Sequence, residues 1–300
     1  MRVRSRRLVG FCLVLLTAAS LTTMPASATT SLASYGRPFA GAGAWVSVFA
    51  GSGVWDHPRS TVAQMHRDGV HTLFLQTAST TTPSGSDVYR PDRVARFLVA
   101  AHAQGMRVVA WYLPPLAHVG RELRRAMAAV DFRTASGQRF DAFALDIEPS
   151  ATTPKGTLRD DNLRRLARRL RGAVGPAYRL GAIVPSPIGL SLAPRFWPAF
   201  PWPTIGRWFD VVLPMSYSSY RVSGVQPTYD YTTGNIAFLR EALGPLATIH
   251  VIGGNAGDLS AAETTAFVAA CNQARVTGAS LWHWGAEGPG DVEAMRALDL

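Results

Sequence analysis

Cysteine is nearly missing from this 300-residue chain, which has two, Cys12 and Cys271. Cys12 falls in an N-terminal leader, so Cys271 stands alone and no intramolecular disulfide can brace the mature protein. Charged residues are sparse as well, at 17% against 47% hydrophobic. That excludes a disordered polyelectrolyte and asks for a large core. Beyond the leader, no stretch is long and uncharged enough to span a bilayer. There is no Gly-x-Ser-x-Gly elbow and no His-Glu-x-x-His pair, and the seven histidines are scattered. These absences remove elbow-type serine hydrolases and zinc peptidases from consideration, and neither a metal nor a cofactor is expected.

The leader itself is well formed. "MRVRSRR" is basic, "LVGFCLVLLTAASL" is apolar but short for a stable span, and "ASA" ends at Ala28 as a small-residue cleavage site. Residues 1–28 are therefore predicted to be an export signal, with a retained N-terminal anchor as the alternative, residues 29–41 a mobile lead-in, and residues 42–300 a single domain. The mature chain is expected to be soluble, secreted and monomeric. Formal net charge is +10, of which Arg2, Arg4, Arg6 and Arg7 belong to the leader. Much of the rest lies in "RDDNLRRLARRLRG", where Leu163, Leu166 and Leu170 make an apolar helical stripe and Arg164, Arg165, Arg168 and Arg169 fall off it. With no aromatic residue interleaved, this reads as a solvated outer helix face, and no nucleic-acid partner is expected.

From Ala44 onward one unit keeps returning: apolar strand, polar loop, amphipathic helix, glycine. The strand candidates are "AWVSVFA", "HTLFLQTA", "RVVAWYLPP", "DAFALDIEP", "RLGAIVPSP", "FDVVLPMSYS", "TIHVIGG" and "ASLWHWG". Helix ends punctuate the intervals: Ser60 as an N-cap, Pro91 as a first-turn residue, and Ser260 with Glu263 as a capping box. Strands apolar throughout suit a parallel sheet covered on both faces. Eight such units predict a single (β/α)8 TIM barrel, and no glycine-rich phosphate loop follows the first strand to favour an open doubly wound sheet.

Barrel sites lie at the carboxyl ends of the strands. "FDAFALDIEPS" puts Asp146 and Glu148 there, two positions apart on one face of the fourth strand and about 7 Å apart along the chain. Like charges so placed raise the pKa of one, which suits proton donation to a leaving oxygen. A structural ion pair with an arginine is the alternative for either carboxylate.

These residues resemble a known pattern. The run Asp141, Ala144, Asp146, Glu148 is similar to the Asp-x-x-Asp-x-Asp-x-Glu of family 18 glycoside hydrolases, the chitinase-like barrels, with Ala144 at the second aspartate. "PMSYS" resembles the family's Met-x-Tyr-Asp, with Met215 and Tyr217 matching and Ser218 at the aspartate. "VIGGNAG" is similar to the seventh strand, and "GASLW" to the eighth, through Gly278 and Trp282. "ALDIEP" also resembles the fourth strand of family 25 lysozyme-like barrels.

The resemblance implies a glycosidase acting on a polysaccharide or glycoconjugate. It makes Glu148 the general acid/base, Asp146 the residue that orients a substrate acyl group or restrains the acid, and Tyr217 a hydrogen-bond donor to the attacking carbonyl. Trp282 would be a stacking floor for a sugar ring, with Met215 beside it. Ala144 removes a proton partner for Asp146, and Ser218 removes a charge beside Tyr217. Both departures leave open a barrel that binds carbohydrate as a lectin without cleaving it. An ordinary two-carboxylate hydrolysis would need a second acid, for which Glu287 and then Asp258 are the candidates.

Aromatic residues cluster near the predicted strand ends: Trp55, Trp111, Tyr112, Tyr217, Tyr220, Trp282 and Trp284. Of these Tyr112 is a candidate sugar contact, as are Gln76 and Asn255 at the ends of the second and seventh strands, with loop anchoring the alternative for each amide. His283 and Cys271 read as packing residues.

Overall fold

The computed structural model describes residues 37–79, 87–150 and 152–300. The predicted export signal and residues 29–36 of the predicted lead-in lie outside the described residues. Eight parallel strands close on themselves in chain order, with β1 paired to both β2 and β8. They are β1 (Gly41–Val46), β2 (Thr72–Ala78), β3 (Arg107–Tyr112) and β4 (Ala142–Asp146), followed by β5 (Arg179–Pro185), β6 (Val211–Met215), β7 (His250–Asn255) and β8 (Gly278–Trp282).

Helices cover the outside. The first five are α1 (Ser52–Trp55), α2 (Pro58–Arg67), α3 (Pro91–Ala103), α4 (Val119–Val130) and α5 (Thr157–Val174). The rest are α6 (Pro187–Leu192), α7 (Trp202–Trp208), α8 (Val225–Leu243), α9 (Ala261–Ala274) and α10 (Pro289–Arg296). None of the described helices is long and apolar enough to cross a membrane. The structure is a single (β/α)8 barrel.

The predicted helix ends hold in part. Pro91 opens α3, and Ser260 and Glu263 exchange bonds at the start of α9: the Ser260 amide donates to Glu263 Oε2 at 2.8 Å, and the Glu263 amide donates to Ser260 Oγ at 3.3 Å. Ser60 is not an N-cap. α2 starts two residues earlier at Pro58, whose missing N–H suits a first turn, and the Ser60 hydroxyl donates back to the His57 carbonyl at 3.1 Å.

Strand alternation sorts side chains into two cores. Leu73, Leu75, Val108, Ala110, Phe143, Leu145 and Ile147 face outward and pack under the helices. Trp45, Phe74, Val109, Ala144, Ile183 and Leu213 face inward and fill the barrel.

The foot of the barrel is closed by a residue from the predicted lead-in. Residues 37–39 form a short 3-10 turn, Phe39 is fully buried, and Gly41 already belongs to β1. The last residues of the lead-in are thus part of the fold. Two glycines make room for this plug: a Cβ on Gly181 would sit 2.7 Å from the Phe39 ring, and one on Gly278 would sit 2.3 Å from the Phe39 carbonyl oxygen. Neither position can carry a side chain without moving the plug.

Candidate active site

The site grows from the end of β4. Its last hydrogen-bonded step carries the Ile147 amide to the Ile183 carbonyl at 2.8 Å, which extends the strand pairing past Asp146. Ile147 therefore turns outward into the core, and Asp146 and Glu148 point together into the mouth. Asp146 is only 7% exposed, and its Oδ1 has no hydrogen-bond partner among the described residues. Glu148 is partly buried and opens on a cleft of about 340 Å³. Neither carboxyl forms a salt bridge among the described residues. A structural ion pair is thereby excluded for both within the described part of the chain.

Protonation follows from these surroundings. Burial pushes the Asp146 carboxyl well above its usual range, and the charge of Glu148 pushes it further. Burial also raises Glu148. Both carboxyls therefore take up a proton more readily than solvated carboxylates do. Tyr217, whose hydroxyl is raised by burial and by both carboxylates, remains a proton-bearing donor.

Three indole rings meet in the inner core of the barrel. Trp45 lies 5.8 Å from Trp111 and 6.0 Å from Trp282, and Trp111 lies 5.7 Å from Trp282, centroid to centroid. In register, Trp111 of β3 stands beside Ala144 of β4, where the small side chain leaves space for the indole. Trp111 Nε1 is buried without a partner among the described residues, as is Ser218 Oγ.

The cleft wall comes from β5, β6 and the segments that follow them. Met215, Tyr217, Tyr220 and Arg221 line it on one side, and Ser186, Phe196 and Tyr231 on another. Tyr217 and Tyr220 meet edge to face at 5.8 Å. The wall is braced from behind by α8: Ser186 Oγ lies 2.7 Å from the Tyr231 hydroxyl and 2.8 Å from Asn235 Oδ1, and the Asn235 amide donates to Ser216 Oγ at 2.9 Å.

The predicted residues fall into three groups. Glu148, Met215 and Tyr217 line the cleft; Asp146 is buried two positions before Glu148, and Trp282 packs with Met215 and Tyr217 against the inner core. Asn255 stands at the rim, where its amide donates to the Tyr220 hydroxyl at 2.5 Å and to Asp258 at 2.9 Å. The remaining three are corrected by the structure. Tyr112 is fully buried on the outer face of β3, with its hydroxyl 3.4 Å from Arg125 Nη1, so it cannot reach the mouth. Gln76 faces inward but ties two strand ends together, accepting from the Val48 amide at 2.9 Å and donating to the Ala78 carbonyl at 3.1 Å.

Glu287 curls back onto the Gly285 amide at 2.6 Å and lines a small space between β1, β8 and α10, outside the barrel. It is therefore not an acid facing Glu148 across the cleft. Asp258 is exposed at the rim and accepts from Asn255. Asp141, the first aspartate of the motif, serves the foot of β4 instead, accepting from the Val108 amide at 2.8 Å and pairing with His102 at 3.0 Å.

Sequence reasoning named Trp111 only as one of a cluster of strand-end aromatics, and missed its contact with Trp45 and the brace of Ser186, Tyr231 and Asn235. The i and i+4 pair Tyr231 and Asn235 on a helix was the one available signal for the brace. Among the described residues, no three His, Cys, Asp or Glu side chains converge as metal ligands would. A larger hollow of about 420 Å³ lies at the other end of the barrel beside Leu246, but its one carboxylate, Asp210, is paired with Arg171 at 2.6 Å. Size does not mark the site here; unpaired chemistry does.

No protein-family model matches the chain, and no curated protein matches it. Solved structures do resemble it. The C-terminal domain of a putative chitinase from Desulfitobacterium hafniense DCB-2 superposes with a TM-score of 0.61 at 10% identity, over 86% of this chain and 98% of that one. A chitinase from Chromobacterium violaceum ATCC 12472 gives 0.56 at 13%, over 86% and 98%. An exo-β-1,4-mannosidase from Opitutaceae bacterium strain TAV5 gives 0.58 at 15%, over 87% of this chain and 56% of that one. At such identities the likeness establishes the fold, a divergent barrel of the chitinase-like shape.

Proposed function

We propose that this protein is an exported glycoside hydrolase acting on a polysaccharide or glycoconjugate, with Glu148 as general acid/base. The observation that carries the reading is the Asp146 and Glu148 pair, both carboxyls raised above their ordinary range and free of ion pairs among the described residues, with Glu148 opening on a cleft beside Met215 and Tyr217. Chitinases and a mannosidase among the structural neighbours support a sugar polymer as the substrate. The leader of residues 1–28 supports export, and the chain is read as a monomer working without a cofactor.

Glu148 hands its proton to the glycosidic oxygen as the bond to the anomeric carbon breaks. The carboxylate left behind then takes a proton from the water that adds to that carbon. Asp146, its carboxyl raised by burial and by the charge of Glu148, stands beside it and favours a proton shared within the pair. Tyr217 donates a hydrogen bond to a substrate oxygen, and Trp282 lies under the sugar with Trp45 and Trp111 behind it.

One observation favours a second reading, a lectin. Ala144 is fully buried where the resembled family carries an acid, and Ser218 Oγ is buried without a partner among the described residues, so the charges that assist an acyl-group mechanism are missing. Glu148→Gln separates the two. It is expected to lower turnover by about 10²–10⁴-fold, the range for a lost general acid, while glycan binding survives. If wild type releases no reducing ends from any glycan in a panel yet wild type and variant both bind one, the lectin reading replaces the enzyme.

A further inference from the structure

The outer helical layer holds a groove of about 440 Å³ between α5 and α7. Arg164, Arg165 and Arg168 enter it from α5, and Thr204, Arg207 and Trp208 from α7. All four arginines are exposed, and no acidic residue lines the groove. Arg164 is paired with Asp161 at 2.9 Å, and Arg165 donates to Asn162. Arg168 and Arg207 have no carboxylate partner among the described residues. The Arg207 guanidinium lies 4.9 Å from the centre of the Trp208 ring, a stacking contact that leaves its in-plane N–H donors available.

The aromatic residue lacking from the arginine-rich helix in the linear sequence is thus supplied by a helix some forty positions later. Arg164 and Arg168 are one helical turn apart, about 6 Å along the axis, so they can meet two anionic groups repeated along a chain. Guanidinium forks match tetrahedral oxyanions better than they match neutral sugar hydroxyls.

We infer that this groove binds an anionic polysaccharide, one bearing phosphate or sulfate groups. Nucleic acid fits less well, because one indole already stacked by Arg207 offers no run of rings for successive bases. The groove is formed by the outer helices and the Glu148 cleft by the strand ends, so the inference does not rest on catalysis.

The test measures binding of the full chain to dextran sulfate, dextran phosphate, uncharged dextran and a single-stranded oligonucleotide of equal charge. The groove variant Arg168→Ala/Arg207→Ala is compared with Arg59→Ala/Arg169→Ala, which removes the same charge from exposed positions that do not line the groove. Wild type is expected to bind the charged dextrans, less tightly as salt rises, and to ignore uncharged dextran. The groove variant is expected to bind them about tenfold more weakly or worse, with the control variant close to wild type. A preference for one charged dextran identifies which oxyanion the groove takes. Failure to bind either one, equal weakening by the two variants, or tighter binding of the oligonucleotide overturns the inference.

Discussion

At the foot of the barrel a chain of buried polar side chains is matched donor to acceptor, whereas at the mouth three buried polar groups are left open. Trp45 Nε1 donates to Ser280 Oγ at 2.8 Å, Ser280 Oγ lies 2.9 Å from His250 Nε2, and His250 Nδ1 lies 2.7 Å from the Phe39 carbonyl. An indole N–H only donates and a carbonyl only accepts, so the chain has one direction: Ser280 donates to Nε2, and Nδ1–H donates to Phe39. His250 is neutral in it, its pKa pushed down by burial to about 4. Asp146 Oδ1, Trp111 Nε1 and Ser218 Oγ, by contrast, have no partners among the described residues. An unsatisfied buried group costs about 1–3 kcal/mol. The foot is arranged for stability, and the mouth keeps buried polar groups unsatisfied.

The largest effect expected from breaking this contrast is at the foot. Ser280→Ala orphans both the Trp45 N–H and His250 Nε2, and should lower unfolding free energy by about 2–4 kcal/mol. Denaturant melts measure it, and a loss below about 1 kcal/mol would mean that the chain of bonds is incidental.

A smaller effect of opposite sign is expected at the mouth. The folded pKa of Asp146 is raised, so the native state binds its proton more tightly than the unfolded chain does. Stability from this group is full below the ordinary carboxylate range and is lost as pH rises through the folded pKa. Asp146→Asn removes that loss and should stabilise the protein at pH 7 by about 1 kcal/mol, or about 2–4 °C in Tm for a chain of this size. The gain should shrink toward pH 4. A variant that is less stable than wild type at pH 7 would show that Asp146 is a satisfied core residue.

Legibility in the sequence followed the same divide. The barrel could be read because each strand is apolar throughout and each interval carries helix punctuation such as Pro91 and the Ser260 capping box. The carboxylate pair could be read because i and i+2 share a face within one strand, whatever the neighbours do. Facing across strands could not. Both faces of β3 are apolar, so hydropathy gave no means to choose between Trp111, which points in, and Tyr112, which points out.

Gln76 was correctly placed at a strand end, but its bonds to Val48 and Ala78 depend on a register that only the folded sheet sets. Glu287 lies in a loop past β8, and nothing in its local spacing told that it would turn back toward α10. Phe39 plugs the foot from a three-residue turn too short to show any periodicity. The arginine face of α5 was plain in the sequence, but its companion Trp208 comes from another helix.

The account depends on a proton retained at the mouth, and isotope-edited infrared spectroscopy of carboxyl-labelled Asp and Glu reads it directly. Wild type should keep a protonated carboxyl band at pH 7, and the double variant Asp146→Asn/Glu148→Gln should lose that band. If every labelled carboxyl of wild type is already ionised at about pH 5, close to the ordinary carboxylate range, the mouth holds no proton to donate and the proposed chemistry fails.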